Sequence, residues 1–419
     1  MLIHCNKIPN KKKSEVRKKS SDFSFAVYDS VSMINKEHWN AIVKYGSEFL
    51  QLTYLNVLEK TPPENMRFHY SIIYDARKPF AIAYFQVIDF SSESFSNMLE
   101  SESEEFRCVV TNYIKRHITR HLIKTADNIN MRLLICGNAC LSGENGFTAS
   151  PEIDKILAFD ALADVIYRIS RAEKLRGKIA AVLVKDFYAD TIKHSKELEE
   201  FKYHDFLVEP SMIVDIAWKT FDDYLNSMSK KYRNRAKGIV KKGTAIERRN
   251  FSTEEIKANS KQIGQLYNNV HLKAKFRMAS LSPEYFVEMK NELKDKFNFV
   301  AYYFNEKLVG FKTTYILKHD VEAHFIGLDY NVNKEIELYQ NILYDYVKEA
   351  IDNKAKQLFL GRTASEIKST IGAKAHELRC YVRHRNPLSN RIIKPFVDYL
   401  KPTDWIPRNP FKEETAELA

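Results

Sequence analysis

Phe68–Ile88 reads FHYSIIYDARKPFAIAYFQVI, and Phe297–Leu317 reads FNFVAYYFNEKLVGFKTTYIL. The two align without a gap over 21 residues. Each is an aromatic and β-branched run, a short polar turn (DARKP, FNEKL), and a second such run. That composition and length predict a β-hairpin in each.

The repetition extends beyond the hairpins. After the first come the strand-like RLLICGN, a helical pattern over Ile153–Glu173 and the strand KIAAVLV. After the second come EAHFIGLDY, a helical pattern over Glu335–Ile351 and the strand KQLFLGR. The order hairpin, strand, helix, strand predicts two copies of one domain of the α+β (α/β-like) class. KYHDFLVEPSMIVDIAW, from Lys202, reads as the strand that opens the second copy. The expected division is a disordered basic tail over 1–21, an N-terminal domain over 22–208, a C-terminal domain with the site over 209–400, and a frayed tail over 401–419. Ser91–Phe106 reads as an acidic insertion running into a helix that carries Cys108 to Ile123.

The chain has 419 residues, 44% of them hydrophobic and 12% aromatic, with a net charge of +11. That excludes disorder throughout and favours anionic partners. Five scattered cysteines, with no Cys-x-x-Cys, read as reduced thiols rather than a zinc site. His117 and His121 in HITRH lack the adjacent Glu of a metalloprotease, so no metal is expected. No apolar run is long enough to span a bilayer, and no apolar core follows the basic N-terminus. The expected location is the cytoplasm.

SKKYRNRAKGIVKKG, Ser229–Gly243, holds seven Lys or Arg and no acid. Thr220 with Asp223 reads as a capping box, and Ser229 as the cap of a second helix. Tyr232, Ala236, Ile239 and Val240 share one apolar stripe. Lys230, Lys237 and Lys241 lie opposite, with Arg233 on one shoulder and Lys231, Arg235 and Lys242 on the other. An ordinary solvated face mixes charge signs, because opposite charges four residues apart attract. An all-basic face fits a bound anion. Arg233 and Arg235, with planar forks, and Lys237 are the candidates to hold it.

The order of four segments, SKKYR, LVGFKTTY (Leu308–Tyr315), GLDY (Gly327–Tyr330) and LFLGRTASEIKSTIGA (Leu358–Ala373), resembles the GNAT superfamily. More narrowly, it is similar to the FemABX-like acyl- and aminoacyltransferases, over roughly Phe23–Leu400. The resemblance implies two tandem GNAT-fold domains, each a twisted mixed sheet flanked by helices. It implies transfer of an acyl group from a thioester, or from an aminoacyl-tRNA ester, to an amine. No permanently bound cofactor is implied; acyl-CoA and aminoacyl-tRNA are the possible co-substrates, and tRNA a possible partner. The family's late motif, Phe-Lys-x-x-Phe-Gly, corresponds to Ile367-Lys368-Ser369-Thr370-Ile371-Gly372. Both aromatic positions hold Ile, which argues against a tRNA donor. NVNKEIELYQ lacks the glycines that cradle a CoA pyrophosphate, and places Glu335 and Glu337 there, which argues against standard CoA binding.

Acyl transfer to an amine passes through an oxyanion, which fixed positive charge stabilises. Lys368 is the candidate for that role. Arg362, ending its strand, is a candidate to hold an anionic part of donor or acceptor. Asp329 is the candidate acceptor of the amine's proton, with Tyr330 beside it as a substrate contact. The leading expectation is an acyltransferase acting on an anionic or phosphorylated small molecule. The alternatives are a non-catalytic anion- or RNA-binding protein on the same scaffold and an inactive transferase.

Overall fold

The computed structural model describes residues 2–3, 23–90, 131–273, 279–391, 393, 402 and 404–412. The acidic insertion with its helix, HITRH, the basic run 7–19 and the last seven residues lie outside them. The chain forms two compact units, Met1–Val208 with Leu378–Lys401, and Glu209–Glu377 with Pro402–Ala419.

In the first unit, β1 (Leu2–Ile3), β2 (Phe23–Tyr28), β3 (Met66–Asp75), β4 (Lys78–Phe90), β5 (Met131–Cys136) and β7 (Ile179–Phe187) are neighbours in that order. β6 (Phe147–Ala149) pairs with β4, and β14 (Lys374–His384) with β7. Helices α1 (Lys36–Val43), α2 (Leu52–Lys60), α3 (Lys155–Ala172), α4 (Ala189–Ser195) and α5 (Glu197–Glu200) complete it. The β3–β4 turn uses Ala76 and Arg77, both with positive φ, as a two-residue hairpin with native strand twist requires. α3 carries the chain between the parallel strands β5 and β7. Phe159, Leu162, Val165, Ile166 and Ile169 recur at helical spacing and bury with Phe85, Leu134 and Val184. Each such side chain contributes about 1.5–3 kcal/mol on leaving water.

The second unit's sheet runs β8 (His204–Asp215), β13 (Gln357–Phe359), β12 (Val321–Leu328), β11 (Lys307–Ile316), β10 (Phe297–Phe304) and β9 (Glu247–Asn250). Its helices are α6 (Phe221–Ser227), α7 (Lys230–Lys242), α8 (Thr253–Ala258), α9 (Ser260–His271), α10 (Pro283–Leu293), α11 (Tyr330–Ile336), α12 (Leu338–Asp352) and α13 (Ser365–Ser369). The β10–β11 turn again uses two residues of positive φ, Asn305 and Glu306. They fall at the same offset as Ala76 and Arg77 in the aligned stretches. A register shift comes at the same offset too, skipping Phe80 in one hairpin and Val309 in the other. The echo in sequence is therefore an echo of turn and bulge.

Several expectations change. Leu2–Ile3 is not a free tail: it pairs with Ala26 and Phe25, because β2 offers an open backbone edge to two strand-forming residues. Residues 378–401 belong to the first unit, since β14 completes its sheet beside β7. The C-terminal stretch is not frayed through residue 412. Phe411 packs 5.1 Å from the Trp218 ring, and its ring fills the space where a Cβ on Gly372 (φ +95°) would stand. The helix over 335–351 is two helices, because Glu337 adopts φ 52° and breaks α11 from α12. The Thr220–Asp223 capping box forms in both directions. Ser229 makes no side-chain cap; its N–H bonds Pro410 O at 2.9 Å instead. Ala236 and Ile239 are buried, whereas Val240, on the shoulder of the stripe, is exposed.

Candidate active site

Parallel β12 and β13 pair at two positions, Val321↔Leu358 and Glu322↔Phe359. β13 then ends, while β12 runs on to Leu328. In the first unit the equivalent strands, β5 and β7, stay paired at five positions, from Arg132 to Cys136. The second unit therefore opens a fork where the first stays zipped. A bulge reinforces it. Thr313 pairs Phe325 and Thr314 pairs Ala323, leaving His324 as the extra residue. The Tyr346 hydroxyl donates to Thr313 O at 3.0 Å, from beneath the bulge.

At the fork the chain leaves β13 through a turn in which Gly361, Thr363 and Ala364 all have positive φ, at 66°, 65° and 51°. For β-branched Thr363 that conformation is costly and persists only where the surroundings impose it. Lys368 imposes it. Its side chain leans back toward the start of α13, as helical side chains do. Its Nζ donates to Arg362 O at 2.6 Å and Gly361 O at 3.4 Å.

Lys368 is buried, and burial lowers its pKa to about 7, opposed by the nearby carboxylates Glu322 and Glu209. Glu322 is buried too. Loss of water raises it to about 8, with Lys368 pulling it back and Asp320 adding to the rise. Both groups are driven toward their neutral forms, so between them they titrate near neutrality as a pair. Ser365, one turn before Lys368, buries a hydroxyl that has no hydrogen-bond partner among the described residues.

A second pair joins Lys312, buried in LVGFKTTY, to Glu349 on α12. Lys312 bonds Glu349, whose other oxygen accepts from Asn298 at 2.7 Å. Burial alone would raise Glu349; the Lys312 ammonium and three hydrogen bonds hold it below its usual value. Its partners make this pair a structural one.

Two solved structures share this architecture. FemX matches with a TM-score of 0.52 at 10% identity, over 88% of this chain and 100% of its own. A tandem GNAT protein from the clavulanic acid biosynthesis pathway, solved without AcCoA, matches at 0.51 and 5% identity, over 87% and 99%. The fold is GNAT/FemABX-like. No family model matches the sequence, and no curated protein sequence does. At these identities the likeness concerns the fold and leaves the site to be read from this chain's own residues.

α11 and α3 each open with a helix N-terminus, the kind of end whose bare N–H groups can grip a phosphate. Here both such ends hold a carboxylate. Asp329 Oδ1 accepts the Asn331 N–H at 2.9 Å on the seven-residue α11, and Asp154 Oδ1 accepts Ile156 N–H at 2.8 Å and Leu157 N–H at 3.2 Å on α3. At each end a carboxylate takes N–H groups that a bound phosphate would use.

Asp329 is thus a helix cap. It stands seven residues beyond Glu322 on an extended strand, about 23 Å away. Tyr330 lies beside it, with Lys273 Nζ 3.2 Å from its ring centre. Lys368 and Arg362 share the fork turn. Arg233 is half-buried and reaches Asn226 O at 3.5 Å; Arg235 and Lys237 are exposed on α7. The N-terminal end of α7 meets the α13 region through Arg408. That residue bonds Glu366 (Nη2–Oε1 2.5 Å) and acts electrostatically with Tyr232. Sequence reasoning misses Glu322 and Ser365. A lone acid in the apolar strand VEAHFIGL was the available signal for Glu322.

Among the described residues no cluster of three His, Cys, Asp or Glu is placed to hold a metal. No helix among them is long and apolar enough to cross a membrane.

Proposed function

We propose that the second unit transfers an acyl or aminoacyl group from an activated ester or thioester to an amine. The observation that carries this reading is the fork itself, with a buried Glu322–Lys368 pair where β12 and β13 part. An ammonium must lose a proton before it attacks. A pair that titrates near neutrality can take that proton in Glu322 or Lys368. The amine then attacks the acyl carbon, the acyl C–O or C–S bond breaks, and the second proton of the amine leaves on the departing oxygen or sulfur. Lys368, bonded to two main-chain carbonyls, holds the turn that carries Arg362 rather than facing the oxyanion alone.

Arg362, with Arg233, Arg235 and Lys237, holds an anionic group of the substrate, and Tyr330 contacts it toward the far end of β12. The filled helix ends favour a donor gripped elsewhere than at a pyrophosphate. They also support the second reading, an anion-binding protein on a scaffold that has lost transfer.

The test offers the full chain acetyl-CoA and charged tRNA as donors, with a panel of primary amines, and reads amide products by mass spectrometry. Transfer that disappears in Glu322→Gln, and whose KM rises at least about tenfold in R233E/R235E, supports the enzyme. No product with either donor, together with steeply salt-dependent anion binding, supports the second reading.

A further inference from the structure

Transfer chemistry leaves most of the cations on α7 unused. The helix is 13 residues long, about 20 Å. Its Tyr232, Ala236 and Ile239 pack against the second unit's core. The remaining arc, about 200° wide, carries seven Lys and Arg, one Asn, one Gly and no acid. Lys230, Lys237 and Lys241 run along its middle and Lys231 beside them, all exposed. A salt bridge on this arc joins Lys242 to Glu337 at 3.4 Å. A single substrate phosphate needs only two or three cations, which leaves a row long enough to face an extended anionic surface.

The edge of the arc adds a second kind of side chain. Ser229 N–H bonds Pro410 O at 2.9 Å and Lys412 N–H bonds Ser227 O at 3.2 Å, which fixes Pro410–Lys412 against the start of α7. Arg408 N–H bonds Ser369 Oγ at 3.0 Å, joining the 404–412 segment to α13. On the two joined segments Ile406 is 61% exposed and Ile367 40% exposed, and Val240 is exposed on α7. Exposed aliphatic side chains on segments tied to the start of a cationic helix match what an interfacial protein presents to a bilayer: charge for the headgroups, hydrocarbon for the acyl boundary. Nucleic acid would satisfy the cations but not Ile406 and Ile367. RNA is also read by ring stacking, and the arc carries no aromatic residue.

We propose that this face of the second unit docks on an anionic membrane surface. The docking uses Lys230, Lys231, Lys241 and Ile406, not the residues assigned to substrate, and stands whether or not the fork is catalytic.

The test is co-sedimentation of the full chain with mixed phosphatidylcholine–phosphatidylglycerol vesicles and with pure phosphatidylcholine vesicles, at about 0.1 M and about 0.5 M salt. The chain is expected to pellet with the anionic vesicles only. K230E/K231E/K241E is expected to lower that binding by more than about tenfold at low salt. Ile406→Asp is expected to remove the part that survives high salt. Hydrogen exchange over 338–352 serves as the fold control. Equal binding to both vesicles, or unchanged binding in K230E/K231E/K241E, overturns the proposal. So does a chain that binds an RNA oligonucleotide but no vesicle, which would make the face a nucleic-acid contact.

Discussion

Lys368→Met and Glu322→Leu should differ sharply in stability although they remove two halves of one pair. Lys368 donates to Arg362 O and Gly361 O. Its loss strands one part-buried carbonyl, Arg362 O, at about 1–3 kcal/mol, since Gly361 O also accepts the Met212 N–H at 3.0 Å, and it releases a turn of three positive-φ residues. About 1–3 kcal/mol should be lost. Glu322 lends Lys368 only electrostatic support. Without it a neutral amine still donates both bonds, so Glu322→Leu should cost under about 1 kcal/mol or stabilise.

The two groups also act oppositely with pH. Glu322 is raised from 4.5 to about 8, so its contribution is present below pH 4.5 and is lost as pH rises toward 8. Lys368 is lowered from 10.5 to about 7, so its contribution is present above pH 10.5 and is lost as pH falls toward 7. Glu322→Leu should therefore gain most over wild type near pH 8, and little near pH 5. Hydrogen exchange of peptides covering 357–372, with each variant at several pH values, measures this directly. A Glu322→Leu variant as damaged as Lys368→Met, or a Lys368→Met variant within about 0.5 kcal/mol of wild type, would refute the role given to Lys368.

Gly372→Ala should destabilise the second unit by at least about 1 kcal/mol. Its φ is +95° and a Cβ would meet the Phe411 ring at 2.4 Å; thermal unfolding reads the loss. If transfer is found, kcat should rise with pH and level off between about 7 and 8, where the pair sheds a proton. Retaining Lys368 but not its negative neighbour, Glu322→Gln should move any residual inflection to lower pH; an unmoved profile would remove the pair from the proton transfer.

The sequence by itself determined the doubled hairpins, because turn and bulge are set by residues two to four apart and recur at one offset in both stretches. It determined the capping box at Thr220 and the basic exposed face of α7, because helical periodicity sorts side chains locally. Only the tertiary structure decided which residues meet at the fork. Glu322 and Lys368 are 46 positions apart in the sequence and come together through a parallel pairing of two residues. Asp329 reads in sequence as the acceptor of the amine's proton, but the extended strand carries it about 23 Å from Glu322 and the start of α11 takes its carboxylate as a cap. Which sheet β14 completes was likewise undecided by composition, since a strand's partners are fixed by the edges left open when the rest has folded.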